Sequence, residues 1–219
     1  MTASIPRHLR RGADLSFDWA AACRHLRRAD PAIAPVIRRA GRVRLEPRST
    51  QSLFHALAES ITYQQLSGKA AATIFRRVVA LFAPKRFPTP ADLLAMPDAR
   101  LRAAGLSAAK TLALKDLAAK TLDGTVPSLA RVRRLSDEEI VERLTEVRGI
   151  GSWTVEMLLM FRLGRPDVLP VADLGVRKGF ALTYGLEDLP SADELRAHAE
   201  RWKPYRTVGS WYMWRALDV

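Results

Sequence analysis

The chain has 219 residues, of which 48% are hydrophobic, and it carries a formal net charge of +12. This length permits a substantial core, and the basic charge favours a polyanionic partner such as nucleic acid. The chain has one cysteine and no metal-ligand spacing among its histidines, which argues against disulfides and against zinc or iron–sulfur sites. It has no apolar run long enough to cross a bilayer, which argues against a membrane protein. We therefore expect a cytoplasmic monomer without a metal or cofactor.

The first fifty residues are rich in arginine and contain two short helical patterns. One covers residues 18–28, and Asp30-Pro31 marks the start of the other. The arginines either bind phosphates or form a solvated face, and the sequence leaves both interpretations open.

Two adjacent glutamines, Gln64 and Gln65, stand at the junction of the next two predicted helices. Apolar residues at helical spacing predict the first helix over 53–61, and the second is expected over about 69–82. Glutamines at such a junction contribute little to packing. They either enter a DNA duplex and replace the hydrogen bonds of a displaced base, or they form a solvent-facing corner.

Capping signals mark most of the remaining helices. Thr89-Pro90 and Ser107 precede helical patterns, while Ser136-Asp-Glu-Glu139 and Ser191-Ala-Asp-Glu194 are capping boxes. Alternating β-branched runs are absent. The sequence therefore predicts an all-α protein of about ten short helices.

A Gly-Ile-Gly turn joins two of these helices. Gly149 and Gly151 interrupt the helical pattern, which resumes with the apolar residues that follow. Glycines permit positive φ and leave backbone amides uncovered at the start of the second helix, where an anion can bind. The turn either grips a DNA phosphate or is an ordinary connection between packed helices. The basic composition favours the grip.

Asp173 follows the extended segment Leu169-Pro-Val-Ala172 and precedes a helical stretch. At a helix N-terminus, the dipole and the uncovered amides favour an ionised carboxylate. Such a group in an apolar pocket suits the stabilisation of a developing cation or the orientation of a water molecule, and suits general acid catalysis poorly. The simpler interpretation is that Asp173 only caps its helix.

Three motifs in this order carry a family resemblance. The motifs are Ile61-Thr-Tyr-Gln-Gln-Leu-Ser67, Gly149-Ile-Gly-Ser-Trp-Thr154 and Asp173. The chain resembles the helix-hairpin-helix superfamily of DNA glycosylases, and within it the 3-methyladenine DNA glycosylase II branch. The resemblance covers about residues 49–217. It implies the HhH-GPD fold, an all-α arrangement in which two helical lobes flank a DNA-binding cleft.

The resemblance also implies a single glycosylase unit. One lobe is expected over about 51–165, with the helix-hairpin-helix motif at 137–162. The other is expected to combine about 1–50 with 166–219.

Roles for individual residues follow from the resemblance. It makes Asp173 the catalytic carboxylate, and it places Gln65, with Gln64 beside it, in the gap left by the flipped nucleotide. The implied phosphate grip consists of the amides of Gly149, Gly151 and Thr154. The implied base pocket is lined by Trp153 and Trp214, together with Met157, which stands where members of this branch often have an aromatic residue. From the residues alone, the two tryptophans are interpreted as core aromatics.

Trp153 also bears on the type of reaction. Superfamily members that cut the DNA backbone carry a nucleophilic lysine two residues after the second hairpin glycine, and here that position is Trp153. A Schiff base with the sugar requires an amine. The resemblance therefore implies a monofunctional enzyme that uses water as its nucleophile.

Taken together, these features predict a DNA glycosylase that flips alkylated purines, such as 3-methyladenine and 7-methylguanine, out of double-stranded DNA and hydrolyses the N-glycosidic bond in base excision repair. One alternative is the same fold acting on uracil, hypoxanthine or ethenoadenine. Another is a non-catalytic helix-hairpin-helix DNA-binding module, against which Asp173 argues. A third is a helical protein-interaction domain whose basic face is incidental.

Overall fold

The structure is a computed structural model that describes residues 17–41 and 52–218. Six arginines from the basic N-terminal region lie outside these ranges, namely Arg7, Arg10, Arg11, Arg42, Arg44 and Arg48. The described residues form α-helices and short 3-10 turns and contain no β-strand, which confirms the all-α prediction. None of these helices is long and apolar enough to cross a membrane.

Thirteen α-helices are present in the described residues, against about ten expected from the pattern. They are α1 Trp19–Ala29, α2 Ala34–Ala40, α3 Leu53–Tyr63, α4 Gly68–Ala80, α5 Pro90–Ala95, α6 Asp98–Ala103, α7 Ala108–Leu122, α8 Leu129–Val132, α9 Asp137–Thr145, α10 Ser152–Phe161, α11 Leu174–Tyr184, α12 Ala192–Ala199 and α13 Arg206–Ala216.

Most helices begin where a side chain takes up the unpaired amides of the first turn. Ser107 caps α7 by accepting a hydrogen bond from the Lys110 amide. The capping boxes predicted at Ser136 and Ser191 are both formed, at the starts of α9 and α12. These three helix starts agree with the sequence prediction.

Two compact units make up the chain. One combines the described part of residues 1–49 with Glu156–Val219, and the other is Thr50–Val155. The division falls inside α10, whereas the sequence placed a boundary near residue 165.

In the unit Thr50–Val155, the central element is α7, which packs against α3 and α5. The side chains of Leu57 and Ile61 on α3 and of Leu114 and Leu117 on α7 are almost fully buried. Burying a leucine or isoleucine contributes roughly 1.5–3 kcal/mol. Apolar burial along α7 therefore fixes this helix, and polar side chains of the same helix contact the backbone just before the Gly-Ile-Gly turn of the candidate site.

In the other unit, α11 packs closely against α13. This approach depends on Gly179, since a Cβ atom there would lie 1.8 Å from the Met213 carbonyl oxygen. Residues 207–214 of α13 are all buried. The close packing therefore fixes the start of α11, where Asp173 stands, against the aromatic residues of α13.

A buried carboxylate links three helices of this unit. Asp30 is 2% exposed, and its Oδ2 accepts hydrogen bonds from Tyr184 Oη at 2.6 Å, His198 Nε2 at 2.8 Å and Trp202 Nε1 at 2.8 Å. Burial acts to raise the pKa of Asp30, but these hydrogen bonds outweigh it and lower that pKa below its ordinary value. Asp30 is thus a structural ion that joins the end of α1 to α11 and α12.

Candidate functional site

Asp173 lies at the N-terminus of α11 and is held by two hydrogen bonds to one oxygen. Its Oδ1 accepts from the Val176 amide at 2.8 Å and from Trp214 Nε1 at 2.8 Å. The first bond is the N-cap that the simpler interpretation predicted. The second joins the carboxylate to an indole from a distant part of the sequence, which a cap alone does not require.

The position of Trp214 is fixed from both sides. Its side chain is 7% exposed, and its ring stacks on Phe161 with 5.8 Å between centroids and 26° between planes. On the α11 side, a Cβ atom at Gly175 would lie 2.7 Å from Trp214 Cδ1 and 3.1 Å from Asp173 Oδ1. Gly175 therefore provides the space in which the indole reaches the carboxylate.

A second acid, Glu156 on α10, lies within the electrostatic field of Asp173. Burial, and then the charge of Asp173, raise the pKa of Glu156 to about 7. Within the described part of the chain, its Oε2 is buried and has no hydrogen-bond partner. Glu156 therefore holds its proton close to neutral pH, as groups near reaction centres often do.

The Gly-Ile-Gly turn connects α9 to α10 in the unit Thr50–Val155. Gly149 has φ of +78°, in the left-handed region that favours glycine, whereas Gly151 is not among the glycines with positive φ. Ile150 is buried, and its amide donates to the Val147 carbonyl oxygen at 3.0 Å. The two glycines thus have different roles, since the backbone conformation requires only the first.

Space around the turn distinguishes the glycines further. A Cβ atom at Gly149 would meet Ala113 Cβ at 3.5 Å, while at Gly151 no atom of the described residues lies within 4 Å. The conformation and packing of the described residues therefore give no reason for glycine at 151. A side chain there would cover the start of α10 and obstruct a ligand at its amides.

Polar side chains of α7 hold the turn in place. Asp116 Oδ2 accepts from the Arg148 amide at 2.7 Å, and Lys120 Nζ donates to the Glu146 carbonyl oxygen. Lys120 and Asp116 also form an ion pair at 3.7 Å. These contacts fix the turn independently of any ligand.

Of the two glutamines after α3, only Gln65 is exposed. Gln65 adopts φ of +56°, which is uncommon for a residue other than glycine. Gln64 is half-buried, and its Nε2 donates to the Gly149 carbonyl oxygen at 2.9 Å. The interpretation of both glutamines as a solvent-facing corner is therefore incomplete, because the Gln64 side chain connects this junction to the Gly-Ile-Gly turn.

The remaining predicted residues lie on α10. Trp153 is 46% exposed, so it is not the core aromatic that the residues alone indicated, and Met157 is half-buried. The Thr154 amide donates to the Gly151 carbonyl oxygen at 3.0 Å. Of the three amides predicted to grip a phosphate, this one already has a partner within the helix.

Four residues that contribute to these arrangements were not identified from the sequence: Asp116, Lys120, Glu156 and Gly175. Glu156 carried a visible signal, as the one charged residue of the otherwise apolar or neutral helix Ser152–Phe161. Among the described residues, no three His, Cys, Asp or Glu side chains are grouped so as to hold a metal ion.

A helix-hairpin-helix turn followed by a capped aspartate defines a class of DNA repair proteins, and comparison with known families agrees. A family model described as HhH-GPD superfamily base excision DNA repair protein matches residues 58–204, and the chain belongs to this superfamily. The match confirms the resemblance given by the three motifs.

A relative found by sequence and a solved structure support the same branch. Over 166 residues the chain is 41% identical to DNA-3-methyladenine glycosylase 1 of Schizosaccharomyces pombe, covering 76% of this chain and 73% of that protein. A solved structure of the S. pombe 3-methyladenine DNA glycosylase in complex with abasic DNA has a TM-score of 0.76 and 37% identity, covering 89% of this chain and 95% of that chain.

A bacterial structure is similar over nearly as much of the chain. The DNA-3-methyladenine glycosidase of Bacillus halodurans has a TM-score of 0.80 and 33% identity, covering 90% of this chain and 88% of that chain. These similarities confirm both the HhH-GPD fold and the 3-methyladenine glycosylase branch.

Proposed function

We propose that the chain is a monofunctional DNA glycosylase that removes alkylated purines from duplex DNA in base excision repair. The observation that carries the proposal is the carboxylate of Asp173, fixed at the start of α11 by the Val176 amide and the Trp214 indole. The relatives named above are 3-methyladenine DNA glycosylases or glycosidases by name, and the structure of one of them was solved in complex with abasic DNA. Duplex DNA is accordingly the proposed partner.

Asp173 is the proposed catalytic group. Cleavage of the N-glycosidic bond leaves positive charge on the deoxyribose, and a preoriented carboxylate stabilises that charge without needing to reorganise. The same carboxylate orients the water that attacks the sugar. Because two donors already hold Oδ1, the group enters the reaction in a fixed orientation.

Alkylation itself supplies the leaving-group activation. A purine methylated at N3 or N7 carries positive charge and departs as a neutral base, so no general acid is required. An electron-poor cationic base also stacks favourably on an indole. Trp153, which is exposed, is the proposed stacking surface, and Met157 and Trp214 are the further residues assigned to base binding.

DNA binding is assigned to two backbone elements. The Gly-Ile-Gly turn and the start of α10 are proposed to hold a phosphate through the amides of Gly149 and Gly151, since the Thr154 amide already donates to the Gly151 carbonyl oxygen. The exposed Gln65 is proposed to fill the gap left by the flipped nucleotide. The product is an intact strand with an abasic site, because Trp153 provides no amine for a Schiff base.

A lesion panel tests this function. The enzyme is incubated with duplexes that carry 3-methyladenine, 7-methylguanine, uracil, hypoxanthine or ethenoadenine, and the released bases and the integrity of the strand are measured. We expect release of the methylated purines and strand cleavage only after alkaline treatment. Release confined to uracil, or strand cleavage without alkali, contradicts the proposal.

A further inference from the structure

The segment after α3 is tied to two neighbouring elements of its own unit. Lys110 Nζ, from α7, donates to the carbonyl oxygens of Thr62 and Gln64, each at 2.7 Å. The Gln64 side chain in turn donates to the Gly149 carbonyl oxygen. One residue, Gln64, is therefore held by α7 through its backbone and holds the Gly-Ile-Gly turn through its side chain.

Lys110 performs the task of a C-cap. The last carbonyl groups of a helix have no partner within the helix, and a cation near them is favourable. The ammonium of Lys110 is partly buried, and this burial lowers its pKa. A buried ammonium needs acceptors, and the two carbonyl groups supply them.

These contacts hold Gln65 in an unfavourable conformation. A residue with a Cβ atom is strained in the left-handed region, and such a conformation persists only where its surroundings impose it. Here the preceding carbonyl is fixed by Lys110 and the preceding side chain by Gly149. The exposed Gln65 side chain is consequently presented in one direction.

The contact also acts on the turn. A peptide unit is planar, so fixing the Gly149 carbonyl oxygen also fixes the direction of the Ile150 amide that shares its plane. That amide bonds to Val147. Gln64 thus restrains the turn at the Gly149 carbonyl oxygen, while Asp116 of α7 restrains it at the Arg148 amide.

We propose that Gln64 is a positioning residue that couples the turn at Gly149–Gly151 to Gln65, so that the phosphate is held and the gap is filled in one fixed register. This inference rests on the proposed function, because it takes both elements to contact DNA. It changes the role expected for Gln64, whose amide is used inside the protein and does not enter the duplex.

The test separates coupling from simple DNA affinity. Gln64→Met removes the donor at nearly constant side-chain length, and Gln64→Lys restores a donor. Binding is measured by fluorescence anisotropy to two duplexes over a range of salt concentrations, one undamaged and one containing a tetrahydrofuran abasic site. The readout is the ratio of the two affinities, in which any uniform effect of the added lysine charge cancels.

We expect Gln64→Met to lower the preference for the abasic duplex about tenfold, with affinity for undamaged duplex and its salt slope nearly unchanged. Gln64→Lys should recover most of the preference. An unchanged preference in Gln64→Met, or an equal loss on both duplexes, overturns the proposal.

A second variant keeps the proposal testable if Gln64→Met has a folding defect. Lys110→Met releases both carbonyl groups without touching the Gln64 side chain, and the same loss of preference is expected. Because abasic DNA needs no excision, this outcome is independent of the lesion panel. A chain that excises no base but shows the coupled preference contradicts the proposed function alone.

Discussion

Trp214 and Asp173 are joined by a hydrogen bond of 2.8 Å from the indole Nε1 to Oδ1 of the carboxylate. The residues are 41 positions apart in sequence, and the bond depends on the absence of a side chain at Gly175. The indole therefore orients the carboxylate that we assign to catalysis, in addition to any contact that it makes with the base.

Gly175→Ala should separate the indole from Asp173. The new methyl group would lie 2.7 Å from Trp214 Cδ1, so the ring must move and the hydrogen bond weakens. We expect the single-turnover excision rate to fall about tenfold, corresponding to the loss of one hydrogen bond to a charged group. Leu182→Ala, at an exposed position of the same helix, is the control and should leave the rate unchanged. Equal rates for Gly175→Ala and the parent would remove Trp214 from the orientation of the carboxylate.

The two glycines of the turn should respond differently to alanine. Gly151→Ala meets no steric obstacle within the described residues, so the free energy of unfolding should change by less than about 0.5 kcal/mol while duplex affinity falls at least about fivefold. Gly149→Ala must place a Cβ atom at φ of +78° and should cost roughly 1 kcal/mol of stability. Urea unfolding and anisotropy measure the two quantities. Full duplex affinity in Gly151→Ala would exclude a phosphate at this amide.

Glu156 should make stability depend on pH. Its pKa is about 7 in the folded protein against 4.5 ordinarily, so between these values the folded state retains a proton that the unfolded state has lost. Stability contributed by the protonated group therefore declines as the pH rises from about 4.5 to 7. Glu156→Gln lacks this decline and should be more stable than the parent at pH 8 by about 1 kcal/mol, since partial exposure reduces the effect.

Urea unfolding at pH 5 and pH 8 measures this difference. Glu142→Gln, an exposed glutamate on α9, is the matched control and should follow the parent at both values. Parallel pH dependence in the parent and Glu156→Gln would show that Glu156 is ionised in the folded protein at neutral pH.

Asp30 should be essential to the stability of its unit. Asp30→Asn preserves the size of the side chain but removes the charge that accepts from Tyr184, His198 and Trp202, and we expect a loss of roughly 2–4 kcal/mol. Because the pKa of Asp30 is lowered in the folded protein, its contribution is present above the ordinary value of 3.8 and is lost as the pH falls through the lower value. The deficit of the variant should therefore shrink in acid, as measured by urea unfolding. A deficit independent of pH would argue against an ionised Asp30.

The sequence predicted the helix starts that local signals determine. Ser107, Ser136 and Ser191 mark helix starts because a hydroxyl beside free amides acts within three residues. The helices α6 and α8 were missed, since six and four residues are too few to show a period. Lengths of that order carry almost no pattern.

The candidate site divides in the same way. Asp173, Gly149 and Gly151 stood in recognisable motifs, whereas Lys110, Asp116 and Gly175 act through partners between 32 and 48 positions away, so no local pattern reveals them. Gly175 in particular looks like any helical glycine until Trp214 is placed against it. Long-range packing, which determines these contacts, is not encoded in local periodicity.

Single-turnover release of 3-methyladenine and 7-methylguanine from alkylated duplex by Asp173→Asn, compared with the parent, tests the role of Asp173 most directly. Asparagine is the same size and keeps an oxygen for the Val176 amide and the Trp214 indole, but it removes the negative charge that stabilises the sugar cation. We expect the excision rate to fall at least about a hundredfold, with unchanged affinity for a tetrahydrofuran-containing duplex. A variant that releases both bases at the parental rate would contradict the assignment of Asp173 as the catalytic carboxylate.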